Sequence, residues 1–132
     1  MYQRDYIQRL IREFMSAIER MLEKKEVESR RTVLQQLYEQ YVGPYAFYQT
    51  ASLDDVMKSF DGVGDVQTRL AKMEMLAELY YQEAWLVSKP VADELLAKAF
   101  LLYDFVERNG SAYSILRRQK MQLIKQKIDN SL

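Results

Sequence analysis

The chain has 132 residues, of which 48% are apolar and 29% charged, and its 19 basic and 19 acidic residues balance. This composition is typical of one folded domain and excludes a disordered polyelectrolyte. Because the sequence contains no Cys and no His, it excludes disulfides, Ser-His-Asp and Cys-His catalysis, and metal sites built on those ligands. We therefore predict a single domain over residues 1–132 with no catalytic residues, no metal and no cofactor.

The first third of the chain predicts two helices. Apolar residues recur at helical spacing from about residue 4 to residue 24, and again over residues 29–41. In one straight helix these two stripes would lie on opposite faces. A turn between residues 24 and 29 brings both stripes to one core, and the alternative is a long helix that bridges two cores. Gly43 and Pro44 end the second predicted helix.

The middle of the chain carries two helix-start signals. Ser52 and Asp55 form a capping box, which predicts a short helix over residues 53–60. Asp65 is a good N-cap for a long helix that reaches about residue 87 and is apolar on two sides, a pattern typical of a central helix. Between them, Gly62 and Gly64 indicate a turn between helices. They do not indicate a phosphate loop, because no strand precedes them and the third glycine of that motif is missing.

The last third of the chain predicts two more helices. One begins at Pro90 and ends at Asn109 and Gly110, and Ser111 is the expected cap of the other. No segment alternates between apolar and polar residues with a period of two. Since the connections are short, we predict an all-α protein of five to six antiparallel helices.

Residues 70–128 resemble a tetratricopeptide-type helical hairpin. Ala92, Leu96 and Ala99 match the small, large and small positions of the second helix of that repeat. Tyr80 and Glu83 depart from the pattern expected for its first helix. The resemblance implies one degenerate repeat followed by a further helix.

The whole chain is also similar to small uncharacterised bacterial helical proteins of the domain-of-unknown-function type. The similarity lies in the opening residues 1–7, the segment 101–103 and the segment 114–117. It implies a repeat-like helical fold and brings no catalytic residues.

Tyrosine is the unusual residue of this composition, with ten copies. Tyr is enriched at interfaces because it combines a large apolar ring with a polar tip. Four of the tyrosines lie within residues 38–48, which we call the tyrosine-rich segment. We expect this segment either to contact a partner or to cap the open end of the core. Trp85 is expected to lie in the core. Glu74, Glu78 and Glu83 are expected on a solvated helix face. The candidate binding residues are Tyr38, Tyr41, Tyr45, Phe47 and Tyr48.

These features favour a non-enzymatic module for protein–protein interaction or scaffolding, which binds a partner or a second copy of itself. The alternative is weak nucleic-acid binding through the basic C-terminal helix. We expect a cytoplasmic protein without a membrane segment, because charged residues interrupt every apolar stretch. The basic residues of the alternative are Arg117, Arg118, Lys120, Lys125 and Lys127.

Overall fold

A computed structural model describes residues 2–110 and 114–131, and the side chains of residues 5–110 and 114–130. The described residues form seven helices and no strand, so the all-α prediction is confirmed. The helix that was not predicted is the third. The helices are α1 (Tyr2–Leu22), α2 (Val27–Tyr41), α3 (Tyr45–Thr50), α4 (Leu53–Ser59), α5 (Val66–Ala84), α6 (Val91–Asn109) and α7 (Ile115–Ser131).

The predicted turn between the first two helices is confirmed, because α1 ends at Leu22 and α2 begins at Val27. The side chain of Arg30 holds this turn. Its Nε donates to the carbonyl oxygen of Lys24 at 2.7 Å and its Nη2 to that of Leu22 at 2.9 Å. The Leu22 carbonyl ends α1 without a partner in the helix, the Lys24 carbonyl lies in the turn beyond it, and a cation there also suits the helix dipole.

Local capping explains where α4 and α5 begin. Ser52 Oγ accepts a hydrogen bond from the backbone nitrogen of Asp55 at 3.2 Å, and Asp65 Oδ1 accepts one from Thr68 at 2.8 Å. Both N-caps agree with the prediction. Between the two helices the chain turns at Gly64, whose φ of +32° lies in the region that favours glycine. The predicted cap Ser111 lies outside the described residues, and Ser114 Oγ accepts from the backbone nitrogen of Arg117 in the first turn of α7.

Helix α5 is the centre of the molecule, as its two apolar sides predicted. It contacts α1, α2 and α6, and it packs most extensively against α6, while α7 packs on α6. Leu76, Leu79 and Tyr80 of α5 have no exposed surface. The small residues Ala92 and Ala99 of α6 are also buried, which lets helices approach closely. Buried side chains from all seven helices and the connection after α4 form one apolar core.

Candidate functional site

The structure brings most of the predicted tyrosine-rich site into the core. Tyr38, Tyr41 and Tyr48 are buried, and Tyr45 is half-buried. Phe47, which is 40% exposed, is the member of the set with a large exposed surface. A partner that approached this segment would therefore meet Phe47 and the rim of Tyr45 rather than five aromatic rings.

Two tyrosines of this segment, the buried Tyr38 and the half-buried Tyr45, contact one carboxylate, that of Glu83. Tyr38 Oη donates to Glu83 Oε1 at 2.7 Å, and Tyr45 Oη donates to Glu83 Oε2 at 2.5 Å. Burial, followed by the charge of Glu83, raises the pKa of Tyr38 well above its ordinary value. Burial and the hydrogen bond to Glu83 raise the pKa of Tyr45 to about 12. Each oxygen of the Glu83 carboxylate thus accepts a hydrogen bond from a hydroxyl that stays protonated. These two hydrogen bonds join α2 and α3 to α5.

Lys98 of α6 binds backbone carbonyl oxygens just after the end of the tyrosine-rich segment. Its Nζ donates to the carbonyl oxygen of Ala51 at 3.0 Å and to that of Gln49 at 3.3 Å, at the C-terminal end of α3. The same Nζ lies 4.6 Å from the ring centroid of Tyr80. Tyr80 Oη donates to the carbonyl oxygen of Tyr48 at 2.5 Å. Burial lowers the pKa of Lys98. These contacts anchor α3 to α5 and α6.

The expectation that Glu78 and Glu83 lie on a solvated face is wrong, because they are 4% and 2% exposed. Helix periodicity places both residues away from the main apolar stripe of α5, but other helices cover that side. Tyrosines from α2 and α3 cover Glu83, and Lys120 of α7 forms an ion pair with Glu78. Glu74 keeps 37% of its side chain exposed.

Three basic side chains of α7, those of Arg117, Arg118 and Lys120, dock this helix onto the body. Arg117 is 5% exposed, and it pairs with Glu74 at 3.1 Å and with Glu107 at 2.8 Å. Arg118 also pairs with Glu107, at 2.6 Å, and these two arginines lower the pKa of the Glu107 carboxyl. With Lys120 on Glu78, three of the five predicted phosphate-contacting cations pair with carboxylates of this chain.

An exposed aromatic surface lies where α5 ends beside α7, and sequence reasoning missed it. Trp85 is 49% exposed, so the prediction that it lies in the core is wrong. It is the C-cap residue of α5, where the chain leaves the core. Its ring lies at 76° to the ring of Tyr81 at a centroid distance of 5.8 Å, and Lys127 Nζ lies 4.1 Å from its centroid. Leu123 of α7 is 50% exposed and lines the same shallow depression.

We call this region the Trp85 surface. Its charged members are cations, and Lys89 and Lys127 line the depression together with two amide side chains. Lys89 also lies 3.9 Å from Asp93, a long contact between exposed groups. The Trp85 surface therefore presents an aromatic ring that packs against Tyr81 and further apolar area from Leu123. Lys89 and Lys127 place positive charge at its edge. It consists of Tyr81, Trp85, Lys89, Leu123, Gln126, Lys127 and Asn130.

Within the described ranges, no helix is long and apolar enough to cross a membrane, and no cluster of three acidic side chains is placed to hold a metal ion. The comparisons with known proteins show no relative: no family model, no curated protein and no solved structure matches the chain.

Proposed function

We propose that this chain is a non-enzymatic interaction module, and that it binds a protein partner through the Trp85 surface. The observation that carries the proposal is the half-exposed indole of Trp85, the one tryptophan of the sequence. Exposed Trp side chains are prominent among the residues that dominate binding energy at protein interfaces. A large aromatic ring that remains exposed beside further apolar area is a mark of such surfaces.

The geometry around the indole supports this role. Tyr81 packs against the ring at a steep angle and Lys127 lies over its face, and both contacts restrict the motion of the ring before a partner binds. A pre-ordered side chain loses less conformational entropy on binding than a mobile one. Lys89 and Lys127 at the edge favour a partner segment that places an apolar side chain beside carboxylates.

The tyrosine-rich segment is the other location at which a protein partner would bind. Its support is Phe47, which is exposed and meets the ring of Tyr48 at 4.9 Å. The buried members Tyr38, Tyr41 and Tyr48 would act there by shaping the segment. Binding to a second copy of the chain fits either location, and the tetratricopeptide-like hairpin of α5 and α6 would serve as the scaffold.

The remaining sequence-based expectations belong to this proposal. A cytoplasmic location and kinship with small uncharacterised bacterial helical proteins agree with a helical interaction module, and they rest on the sequence patterns described above. A second candidate function is weak nucleic-acid binding, which is favoured by the lysine beside an exposed indole on α7. The ion pairs of Arg117, Arg118 and Lys120 with carboxylates reduce the positive charge available to phosphates.

Affinity capture from native lysate distinguishes these alternatives. Tagged wild type, Trp85→Ala and Phe47→Ala are compared with and without nuclease, and the captured proteins are quantified by mass spectrometry. We expect a discrete protein that survives nuclease and falls more than about tenfold with Trp85→Ala, the effect of losing a residue that dominates an interface. Phe47→Ala should leave the captured amount unchanged.

Two results would overturn this assignment. Loss of capture with Phe47→Ala alone would place the contact on the tyrosine-rich segment, and loss with nuclease would favour nucleic acid. Far-UV circular dichroism and thermal unfolding of both variants control for misfolding, which is not expected because both side chains have large exposed surfaces. Sedimentation velocity of the purified chain separates a foreign partner from a second copy.

A further inference from the structure

A cavity of about 210 Å³ lies where α1, α5, α6 and α7 meet. One side of it is apolar, with Ile11, Phe14 and Met15 from α1 and Ala71 and Met75 from α5. Protein interiors are close-packed, and an apolar cavity of about 150 Å³ already accommodates benzene. This space is therefore large enough for a substituted ring or a short aliphatic chain.

The opposite side of the cavity is charged but balanced. Glu74 and Glu78 of α5 face Arg117 and Lys120 of α7, and each carboxylate has a cation as its partner. Arg117 also pairs with Glu107. A ligand with a net charge would have to compete with these pairs, whereas a neutral ligand leaves them intact. The charges thus favour a neutral molecule.

One hydroxyl on the cavity wall is positioned to bind a ligand. Tyr103 is 2% exposed and lines the cavity, and its hydroxyl donates no hydrogen bond within the part of the chain that the structure describes. Burial, followed by the charges of Glu78 and Glu74, raises the pKa of this tyrosine, so the hydroxyl keeps its proton. The hydroxyl is therefore a donor on the cavity wall, and an acceptor atom of a ligand in the cavity can take its hydrogen bond.

We propose that this cavity binds a small neutral organic molecule of about eight to ten non-hydrogen atoms, whose single acceptor, such as a carbonyl oxygen, takes a hydrogen bond from Tyr103. Its ring or chain would lie against Phe14, Met15 and Met75. The proposal concerns a site separate from the Trp85 surface, and it holds whether or not that surface binds a protein.

Three probes of matched size test the chemistry of the site: acetophenone, its hydrocarbon analogue cumene, and benzoate. Each is titrated into the full chain while the methyl resonances of isotope-labelled Met15, Met75 and Ile11 are followed by NMR. We expect acetophenone to shift these methyl groups and to bind more tightly than cumene. Benzoate should bind most weakly, because the cations of the cavity wall already pair with carboxylates of the protein.

Variants identify the role of Tyr103. Tyr103→Phe should weaken acetophenone roughly three- to tenfold, the effect of one lost hydrogen bond, and leave cumene unchanged. Tyr41→Phe is the matched control, because Tyr41 lies outside the cavity lining, and it should change neither affinity. Ala71→Leu places extra volume in the cavity and should abolish binding of both probes. Thermal unfolding confirms that each variant is folded.

Several results would overturn the proposal. Absence of shifts at Met15 and Met75 for all three probes would show that the cavity does not bind such molecules. Equal affinities for acetophenone and cumene, or an unchanged acetophenone affinity in Tyr103→Phe, would show that Tyr103 does not donate a hydrogen bond to the ligand. Tighter binding of benzoate would indicate an anion site at the start of α7 instead.

Discussion

Hydrogen bonds of the hydroxyl groups explain how four tyrosines are accommodated in and beside the core. Tyr38 and Tyr45 both donate to Glu83, Tyr80 donates to the backbone of Tyr48, and Tyr48 shares a hydrogen bond with Ser59. Buried polar atoms need such partners, because unsatisfied ones oppose folding. The cluster therefore stabilises the fold, in agreement with the alternative that these rings cap the core.

This cluster could be predicted only in part from the sequence. The density of tyrosines between residues 38 and 48 was visible, but their acceptor, Glu83, lies 45 residues beyond Tyr38 and 38 beyond Tyr45. Periodicity placed Glu83 off the apolar stripe of α5 and hence in solvent. Whether a polar helix face is solvated depends on which other helix covers it, and a local pattern does not contain that information.

The first prediction concerns the hydrogen bond between Tyr38 and Glu83. Tyr38→Phe should lower the free energy of unfolding by about 1.5–3 kcal/mol, since it removes a hydrogen bond to a buried charged group. Tyr41→Phe is the matched control: Tyr41 is also buried and its ring contact with Phe14 is preserved in Phe, so the expected loss is about 0.5 kcal/mol or less. Urea unfolding measures both. Equal losses in the two variants would contradict the role assigned to Glu83.

The second prediction concerns alkaline pH. The pKa of Tyr45 rises from 10.0 to about 12 on folding, so the unfolded chain releases this proton at lower pH than the folded one. The contribution of Tyr45 to the free energy of unfolding is complete below pH 10 and is lost as the pH rises toward 12. The slope of this loss is about 1.4 kcal/mol per pH unit for one such tyrosine.

Urea unfolding at a series of pH values from 8 to 11, with tyrosinate absorbance recorded in parallel, checks this expectation. Tyr45→Phe should make the loss of stability above pH 10 less steep. An unchanged slope in that variant would show that Tyr45 titrates alike in both states.

At the scale of the helix, local signals marked most boundaries and tertiary contacts supplied the rest. The caps at Ser52 and Asp65 were visible in the sequence, as was the turn before α2. Helix α3 was not, because six residues are too few to form a stable helix alone. Its C-terminal carbonyls are held by Lys98 from α6, and its N-terminal residue Tyr45 by Glu83 from α5.

The third prediction concerns the docking of α7. Arg117 is almost fully buried between Glu74 and Glu107, whose side chains keep 37% and 18% of their surface exposed, so Arg117→Ala should cost about 1–3 kcal/mol. Arg118→Ala is the matched control on the same helix, because 57% of that side chain is exposed, and about 1 kcal/mol or less is expected.

Hydrogen exchange of the α7 amides measures the effect directly. Arg117→Ala should accelerate exchange throughout α7 and leave the amides of α5 protected. Equal protection of α7 in both variants would show that apolar contacts such as Ile124, rather than the ion pairs, hold this helix.

At the scale of the whole molecule, the helices around α5 determine which groups can meet a partner. Packing against α1, α2 and α6 covers much of α5, and at the end of this helix the chain leaves the core and Trp85 emerges beside α7. Arg117 and Lys120 of α7 face inward onto Glu74, Glu78 and Glu107, whereas Leu123 remains exposed. The sequence predicted an interaction module, but the location of its exposed aromatic ring depends on this arrangement.

Site-specific photocrosslinking in cells that express the chain is the most direct test of the Trp85 surface. A photoreactive side chain replaces Leu123 in one variant, Phe47 in a second and the exposed Leu101 of α6 in a third. We predict a covalent adduct with one discrete protein from position 123, none from positions 47 and 101, and loss of the adduct when Trp85→Ala is added. An adduct from position 47 alone, or one from position 123 that persists with Trp85→Ala, would contradict this prediction.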